Sequence, residues 1–307
     1  MKKDIVITGG DGFLGSHLAR CLSELGYNVY ALVIPNSPTK YRVEGINKVC
    51  VIECDLEEYE AVIKEIPQYP KAFFHFAWSG VTPNSRKSLS MQKENISLSL
   101  KAVALAHAIG AEKFIFPGST MEYSFSGRPI NRNTAPSPQN AYGSVKIATK
   151  YLCEEMCREY NISFIYIVIS GIYSEDRTDN NVIYYTISSL LKGETPRFTK
   201  LEQLWDYVHI NDVIDAMLRV IDYGKNGGFY PIGHGDNWPL ANYVLMIRDI
   251  INPNAKLAIG EVPYENNMLP MSCVDMEETK IDLCYSPKVD FKTGITLVIN
   301  RVKERIE

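Results

Sequence analysis

Short, nearly unbroken apolar runs recur through the first half of the chain, each followed by a stretch whose apolar positions repeat with helical spacing. Asp4–Thr8, Asn28–Ile34, Lys48–Ile52, Ala72–Ala77, Lys113–Phe116 and Ser163–Ile169 are predicted strands. Runs without polar alternation mark strands buried on both faces, and the helical stretches supply right-handed crossovers between parallel neighbours. The predicted fold is α/β: a doubly wound (Rossmann) parallel sheet with a smaller C-terminal lobe. Ligands in such a sheet bind beyond the carboxyl ends of the strands, where strand order reverses. The chemistry-bearing residues fall there: a glycine stretch after the first strand, Asp55 after the third, Ala77-Trp78-Ser79-Gly80 after the fourth and Gly118-Ser119-Thr120 after the fifth.

Later the pattern loosens. Segments from about 173 to 200 and from about 230 to 287 are rich in Gly, Pro and Asn and are expected to build the smaller lobe. Between them Asn211–Ile221 reads as an amphipathic helix returning to the core, with Asp212 placed to favour the helix dipole rather than to act as a catalytic acid. Phe291–Val302 reads as a final packing helix. The expected organisation is residues 1–172 with 205–228 as a dinucleotide-binding unit, 173–204 with 229–290 as a substrate lobe, and 291–307 as a C-terminal helix.

Gly9, Gly12 and Gly15 sit between a predicted strand and a predicted helix. That context lets the backbone turn tightly, approach a pyrophosphate and aim unpaired helix N–H groups at it. Tyr142 and Lys146 stand four apart in a helix expected to start near Gln139, behind the breakers Pro136 and Pro138, so they share one face. A phenol with a reference pKa of about 10 is a poor acid or base at neutral pH, and a neighbouring ammonium favours its phenolate.

With 307 residues, 46% hydrophobic and 22% charged, the composition is that of a globular protein able to bury a large core, and the net charge of −4 carries no footprint for nucleic acid. No apolar run is long enough to span a bilayer, so no membrane partner is expected. Seven scattered cysteines, of which only Cys153 and Cys157 lie one helical turn apart, read as reduced thiols in a cytoplasmic protein without a structural metal.

Taken together, Thr8-Gly9-x-x-Gly12-x-x-Gly15, Cys54-Asp55-Leu56, His75-Phe76-Ala77, Asn95, Gly118-Ser119, Tyr142-x-x-x-Lys146 and Trp205-Asp206 through Val213 resemble the extended short-chain dehydrogenases/reductases, in their nucleotide-sugar epimerase and dehydratase group, over essentially the whole length. The resemblance implies a catalytic set of Ser119, Tyr142 and Lys146, with the tyrosine as general acid or base at a sugar oxygen and the lysine holding the cofactor ribose while lowering the phenol. It implies cofactor contacts from Gly9, Asp11, Gly12, Phe13, Leu14, Gly15, Asp55, Leu56, Phe76, Ala77, Trp78, Asn95 and Ile172 as well as Tyr142 and Lys146, with Asn95 steadying the active-site helix. Substrate contacts are expected from Gly80, Thr120, Met121, Tyr142, Arg177, Asn181 and Arg197, with Asn180 and Lys200 as further candidates, and a homodimer through a four-helix bundle of about 91–108 and 139–159.

Three departures from the family pattern matter. Dehydratase members place Asp and Glu directly after the active-site threonine; Thr120 and Met121 stand there, so a 4,6-dehydratase lacks its proton donor and acceptor. NAD-using members end the second strand with an acid for the ribose; Val33 or Ile34 stands there, with Asn36, Ser37, Thr39, Lys40 and Arg42 following, which tilts the expectation from NAD toward NADPH. Trp205 and Met271 occupy the places of two customary arginines, so the substrate diphosphate must find other cations. The expected activity is reduction of a 4-keto nucleotide sugar, with a 4-epimerase that keeps its NAD as the alternative and a non-catalytic dinucleotide-binding protein as a third reading.

Overall fold

Seven parallel strands form the central sheet in the order β7-β6-β5-β4-β1-β2-β3, with β1 Asp4–Thr8, β2 Asn28–Val33, β3 Val49–Glu53, β4 Ala72–His75, β5 Lys113–Ser119, β6 Ser163–Ile169 and β7 Gly228–Ile232. The computed structural model describes residues 3–177, 181–265 and 269–306. The chain steps outward from β1 through β2 to β3, then crosses back to place β4 on the other side of β1. The resulting crevice lies at the carboxyl ends of β1 and β4, as the Rossmann order requires. Helices α1 (Phe13–Glu24), α2 (Glu94–Ala108), α3 (Ala141–Glu159) and α5 (Ile210–Tyr223) flank the sheet, with α4 (Val182–Leu191) between them in sequence; α6 (Leu240–Ile251), α7 (Glu277–Leu283) and α8 (Phe291–Ile306) complete the chain. The crossover from β3 to β4 is not an α-helix but a 3-10 segment, Leu56–Glu65, kinked at Glu58.

Aromatic rings brace the middle of the sheet from strand to strand. Phe73 stacks on Phe114 at 5.4 Å, Phe114 on Phe164 at 6.4 Å and Phe116 on Tyr166 at 6.0 Å. Offset aromatic pairs across neighbouring strands add to plain area burial and fix register. Strand β5 runs three residues beyond its predicted end, through Pro117 and Gly118 to Ser119, all paired with β6. Strand β4 has ended by that level, so the missing N–H of Pro117 removes no ladder bond on that side.

Sequence reading missed β7, because Gly227-Gly228 and Pro231 look like loop chemistry. The strand lies at the sheet edge, where proline is tolerated. The expected boundary at 228/229 therefore falls inside a sheet strand, and Phe229, Tyr230 and Ile232 join the main core together with Val274, Met276, Leu283 and Tyr285. A second core gathers Ile183, Ile187 and Leu190 of α4, Tyr243, Val244 and Ile247 of α6, and Phe291, Ile295, Val298 and Val302 of the C-terminal helix around Tyr173. Asp212 is buried in the first turn of α5 and accepts the N–H groups of Lys288 and Val289 at 2.9 and 3.0 Å, so its carboxylate moors the segment leading into α8. Among the described residues no helix is long and apolar enough to cross a membrane.

Candidate active site

The glycine turn brings β1, β2 and β4 into contact. Gly9 has φ of +64°, and a Cβ there would lie 2.8 Å from the Ala77 nitrogen; a Cβ on Gly15 would lie 2.3 Å from the Gly9 carbonyl oxygen. Only glycine fits both places. Gly12 occupies the N-cap of α1 without a side-chain cap, which leaves the N–H groups of Phe13, Leu14 and Gly15 open toward the crevice. Such a bare helix start facing a glycine turn suits a pyrophosphate, so these residues fit a dinucleotide.

A carboxylate stands beside this turn even though strand β2 ends without one. Asp11 is buried and accepts hydrogen bonds from the Thr39 hydroxyl, at 2.8 Å, and from the Ser37 hydroxyl. It bridges the glycine turn to the loop after β2, the place where the ribose of a dinucleotide is read in this fold. Val33 is buried in the core and Ile34 points outward, so neither replaces an acid at the strand end. Lys40, a possible phosphate ligand, is ion-paired with Glu53 at 2.7 Å and Glu44 at 3.5 Å, and Arg42 lies over Tyr41. The acid here, Asp11, comes from the glycine turn, a position that strand-end reasoning does not inspect. Asp55 caps Leu56–Glu65 through the Glu57 N–H at 3.0 Å, and the Leu56 side chain lies outside the described residues.

At the end of β5 the Ser119 side chain lies by the Tyr142 hydroxyl and helps to lower the phenol. Asn140 caps α3 through the Gly143 N–H at 3.2 Å, so the helix starts two residues later than expected and carries Tyr142 in its first turn. Gly143 is needed there, because a Cβ would lie 2.3 Å from the Met121 carbonyl. Below Ser119 sits Glu122, fully buried. Its Oε1 accepts the Ser119 N–H at 2.7 Å, and its Oε2 accepts the Tyr166 hydroxyl. Burial pushes Glu122 up to about 7, with Tyr166 and then Lys146 pulling the other way.

Lys146 is also buried. Its Nζ donates to the Pro117 carbonyl at 2.9 Å and lies 3.8 Å from the Trp78 ring centroid, 4.7 Å from that of Phe116 and 6.0 Å from that of Tyr142. Burial lowers Lys146 to about 7, opposed mainly by Glu122. Tyr142 is pushed up to about 12 by burial; the cation that lowers it is Arg86, whose guanidinium carbon is 5.3 Å from the phenol ring centroid. Lys146 was expected in that part. It is instead turned onto Pro117 and Trp78, because the carbonyl beyond the end of β4 and three aromatic faces solvate it better than a neutral phenol does.

The other predicted residues divide. Trp78 meets Tyr142 edge-on at 5.9 Å. Phe76 and Ala77 continue from β4, bonding Thr8 through their N–H groups at 3.1 and 3.3 Å. Asn95 is buried but holds the Ser79 N–H and carbonyl at 2.8 and 3.1 Å and the Gln92 carbonyl at 3.1 Å, steadying the loop after β4 rather than the active-site helix. Gly80, with φ of +82°, accepts Gln92 within that loop. Thr120 accepts the Ser272 hydroxyl at 3.0 Å, and Met121 packs against Gly143. Arg177 donates to the Ile172 carbonyl at 2.9 Å and lies over Phe13, which places it beside the glycine turn. Asn181 caps α4 through the Tyr184 N–H, Arg197 pairs with Glu261 on the exposed face of the lobe, and Lys200 is exposed; Asn180 lies outside the described residues. Sequence reading missed Arg86, Gln92 and Glu122. Only Glu122 carried a signal, as an acid next to an aromatic at the end of an apolar strand.

The family model for the NAD dependent epimerase/dehydratase family matches residues 5–233. Among curated proteins the chain is 24% identical to the UDP-N-acetyl-alpha-D-glucosaminuronate decarboxylase of Bacillus cytotoxicus, covering 99% of each, and 23% identical to the dTDP-4-dehydro-6-deoxyglucose reductase of Escherichia coli, covering 98% of each. Among solved structures it superposes on the UDP-glucose 4-epimerase of Thermotoga maritima with UDP-glucose, with a TM-score of 0.86 at 24% identity over 99% of this chain and 100% of that one. The UDP-glucuronic acid 4-epimerase of Bacillus cereus, in complex with UDP-glucuronic acid and NAD, gives 0.85 at 19% identity over 98% and 99%. With a matching glycine turn, Tyr142 and Lys146 in one crevice and a family match over most of its length, the chain belongs to the NAD dependent epimerase/dehydratase family.

Proposed function

We propose that this protein is an NAD-dependent oxidoreductase acting at C4 of a nucleotide-linked hexose, and that it works as a 4-epimerase. The Asp11 carboxylate, tied to Ser37 and Thr39 of the loop after β2, carries the choice: beside a bound ribose it would suit a 2'-hydroxyl and repel a 2'-phosphate, which favours NAD over an NADPH-using reductase. NAD, when bound, supplies and takes back the hydride. Gly9, Gly12 and the open N–H groups of Phe13 to Gly15 would hold its pyrophosphate, and Lys146 and Asp11 would hold its two riboses. Tyr142 moves the proton at the C4 oxygen, and Ser119 steadies that oxygen while Glu122 fixes the serine backbone. Thr120 and Met121 offer no acid and base for removing water, so 4,6-dehydration is not part of the reading.

A 4-ketoreductase is the second reading, favoured by one observation: the phenol is pushed up to about 12, which poises it as a proton donor to a ketone oxygen. Identifying the nucleotide that co-purifies separates the two. Tightly held NAD and inversion at C4 followed by NMR are the expected result; an exchangeable site with net consumption of NADH or NADPH favours the reductase. The assembly we propose is a homodimer through α2 and α3, supported by the exposed apolar side chains of Leu89, Met91, Tyr151 and Leu152 on or beside these helices. Free thiols at all seven cysteines fit a reducing, cytoplasmic setting.

A further inference from the structure

Arg86 touches the catalytic phenol, yet moving a hydride and a proton at C4 does not call for it. It lies between β4 and the short helix Leu89–Gln92, in a loop fastened from within. Fully buried Gln92 donates to the Gly80 and Ser85 carbonyls at 2.7 and 3.1 Å and accepts the Trp78 indole N–H at 2.9 Å; the Arg86 N–H bonds the Thr82 carbonyl at 3.0 Å. The guanidinium is thereby held 5.3 Å from the Tyr142 ring centroid. Its Nε is buried without a hydrogen bond, and among the described residues no carboxylate pairs with it. A guanidinium nitrogen buried without an acceptor beside a reacting group is unfavourable unless a ligand supplies one.

Three other cations are engaged elsewhere. Arg197 is paired with Glu261 on the lobe surface, Arg177 lies over Phe13 at the glycine turn, and Lys146 is bonded to Pro117. We propose that Arg86 is the anion-reading residue of the sugar subsite, and that the substrate is a nucleotide-linked hexuronate whose carboxylate it binds. This rests on the function proposed above, with Tyr142 acting at C4. The carboxylate of a hexuronate hangs from C5, the carbon next to C4, within reach of a cation in contact with the phenol. The diphosphate leaves from C1, across the sugar ring. A planar guanidinium matches a carboxylate in a paired fork, which a neutral hydroxymethyl group cannot offer.

The test is calorimetric titration of the NAD-loaded protein with UDP- and dTDP-linked glucuronate and glucose, and with UDP and dTDP alone, for the native chain, Arg86→Gln, Arg86→Lys and the exposed neighbour Lys87→Gln. For whichever nucleotide binds, the native protein is expected to hold the glucuronate roughly ten- to a hundredfold tighter than the glucose, the range for a charged hydrogen-bonded contact. Arg86→Gln collapses that ratio toward one, Arg86→Lys restores part of it, and Lys87→Gln keeps it. A native preference for glucose overturns the proposal. So does an Arg86→Gln loss shared equally by the free nucleotides, which assigns the guanidinium to the diphosphate while leaving the C4 reading standing. Retained NAD binding with no affinity for any of the sugar nucleotides removes the C4 reading and this proposal together.

Discussion

Replacing Asp11 with Asn removes a charge and little else. The amide oxygen can still accept from the Thr39 hydroxyl, now at 2.8 Å, and from Ser37, so the glycine turn stays tied to the loop after β2. What changes is the field at the ribose. Two unit charges about 6 Å apart at an effective dielectric of about 20 repel by about 3 kcal/mol. Salt and the two hydroxyls reduce this, and a working figure of about 2 kcal/mol corresponds to roughly thirtyfold in affinity. The native protein is therefore expected to bind NADH at least about thirtyfold more tightly than NADPH. Asp11→Asn should bring the two affinities to within a few fold, chiefly by gaining NADPH. Paired fluorescence titrations of both proteins with both reduced nucleotides read this directly. A native protein that binds NADPH as well as NADH, or an Asn variant with an unchanged ratio, would refute the reasoning. Val33→Asp is no substitute for this test, because Val33 is buried in the core and an acid there would be expected to unfold the strand end.

Tyr142→Phe keeps the ring and removes the proton, so turnover should fall at least about a hundredfold while NADH affinity measured by fluorescence barely changes. Lys146→Met should weaken both if, as proposed, one ammonium serves ribose and proton transfer; wild-type affinity by isothermal titration would contradict the double role. Glu122→Ala leaves the Ser119 N–H and the Tyr166 hydroxyl without their partner and should cost about 2 to 4 kcal/mol in urea unfolding, whereas Glu122→Gln keeps an acceptor and should cost less. The pH dependence has a definite sign. Glu122 keeps its proton up to about 7 when folded but loses it near the ordinary 4.5 when unfolded, so its contribution is fully present below 4.5 and is lost as pH rises to 7. Glu122→Gln should therefore gain on the native protein across that window, and a constant difference would show that the carboxyl does not titrate there.

Much of this fold was legible because its signals are local. Six of the seven sheet strands were readable as apolar runs, the glycine turn as spacing, and Tyr142 with Lys146 as one helix face. Strand β7 was not, since Pro231 and the preceding glycines look like loop chemistry and only its place at the sheet edge makes them tolerable. Asn95, Asn181 and Arg197, given roles by analogy, each have partners that the sequence does not reveal, for a shared reason. An amide or guanidinium takes whichever backbone or carboxylate the fold brings within reach, and here those partners are Ser79, Tyr184 and Glu261. Spacing along the chain cannot supply that choice. Asp11 and Arg86 are the sharper cases. Asp11 faces Ser37 and Thr39, more than twenty residues away, and Arg86 faces Tyr142, more than fifty away.

The buried pair of charges beneath the site gives these separate pieces one physical setting. Lys146 is surrounded by Trp78, Phe116 and Tyr142 and bonded to a carbonyl, while Glu122 is closed in by Tyr166 and the Ser119 backbone. Burial drives each toward its neutral form, and each partly holds the other charged, so both come to titrate near neutrality. The phenol is raised by burial too, and Arg86, from the loop that Gln92 fastens, is the first to pull it back, followed by Ser119. A cofactor ribose that takes the Lys146 ammonium away from Pro117 would bring a second cation toward the phenol. Filling the nucleotide site and tuning the acid would then be one event, since the residue proposed to hold the ribose is also the cation that the phenol lacks.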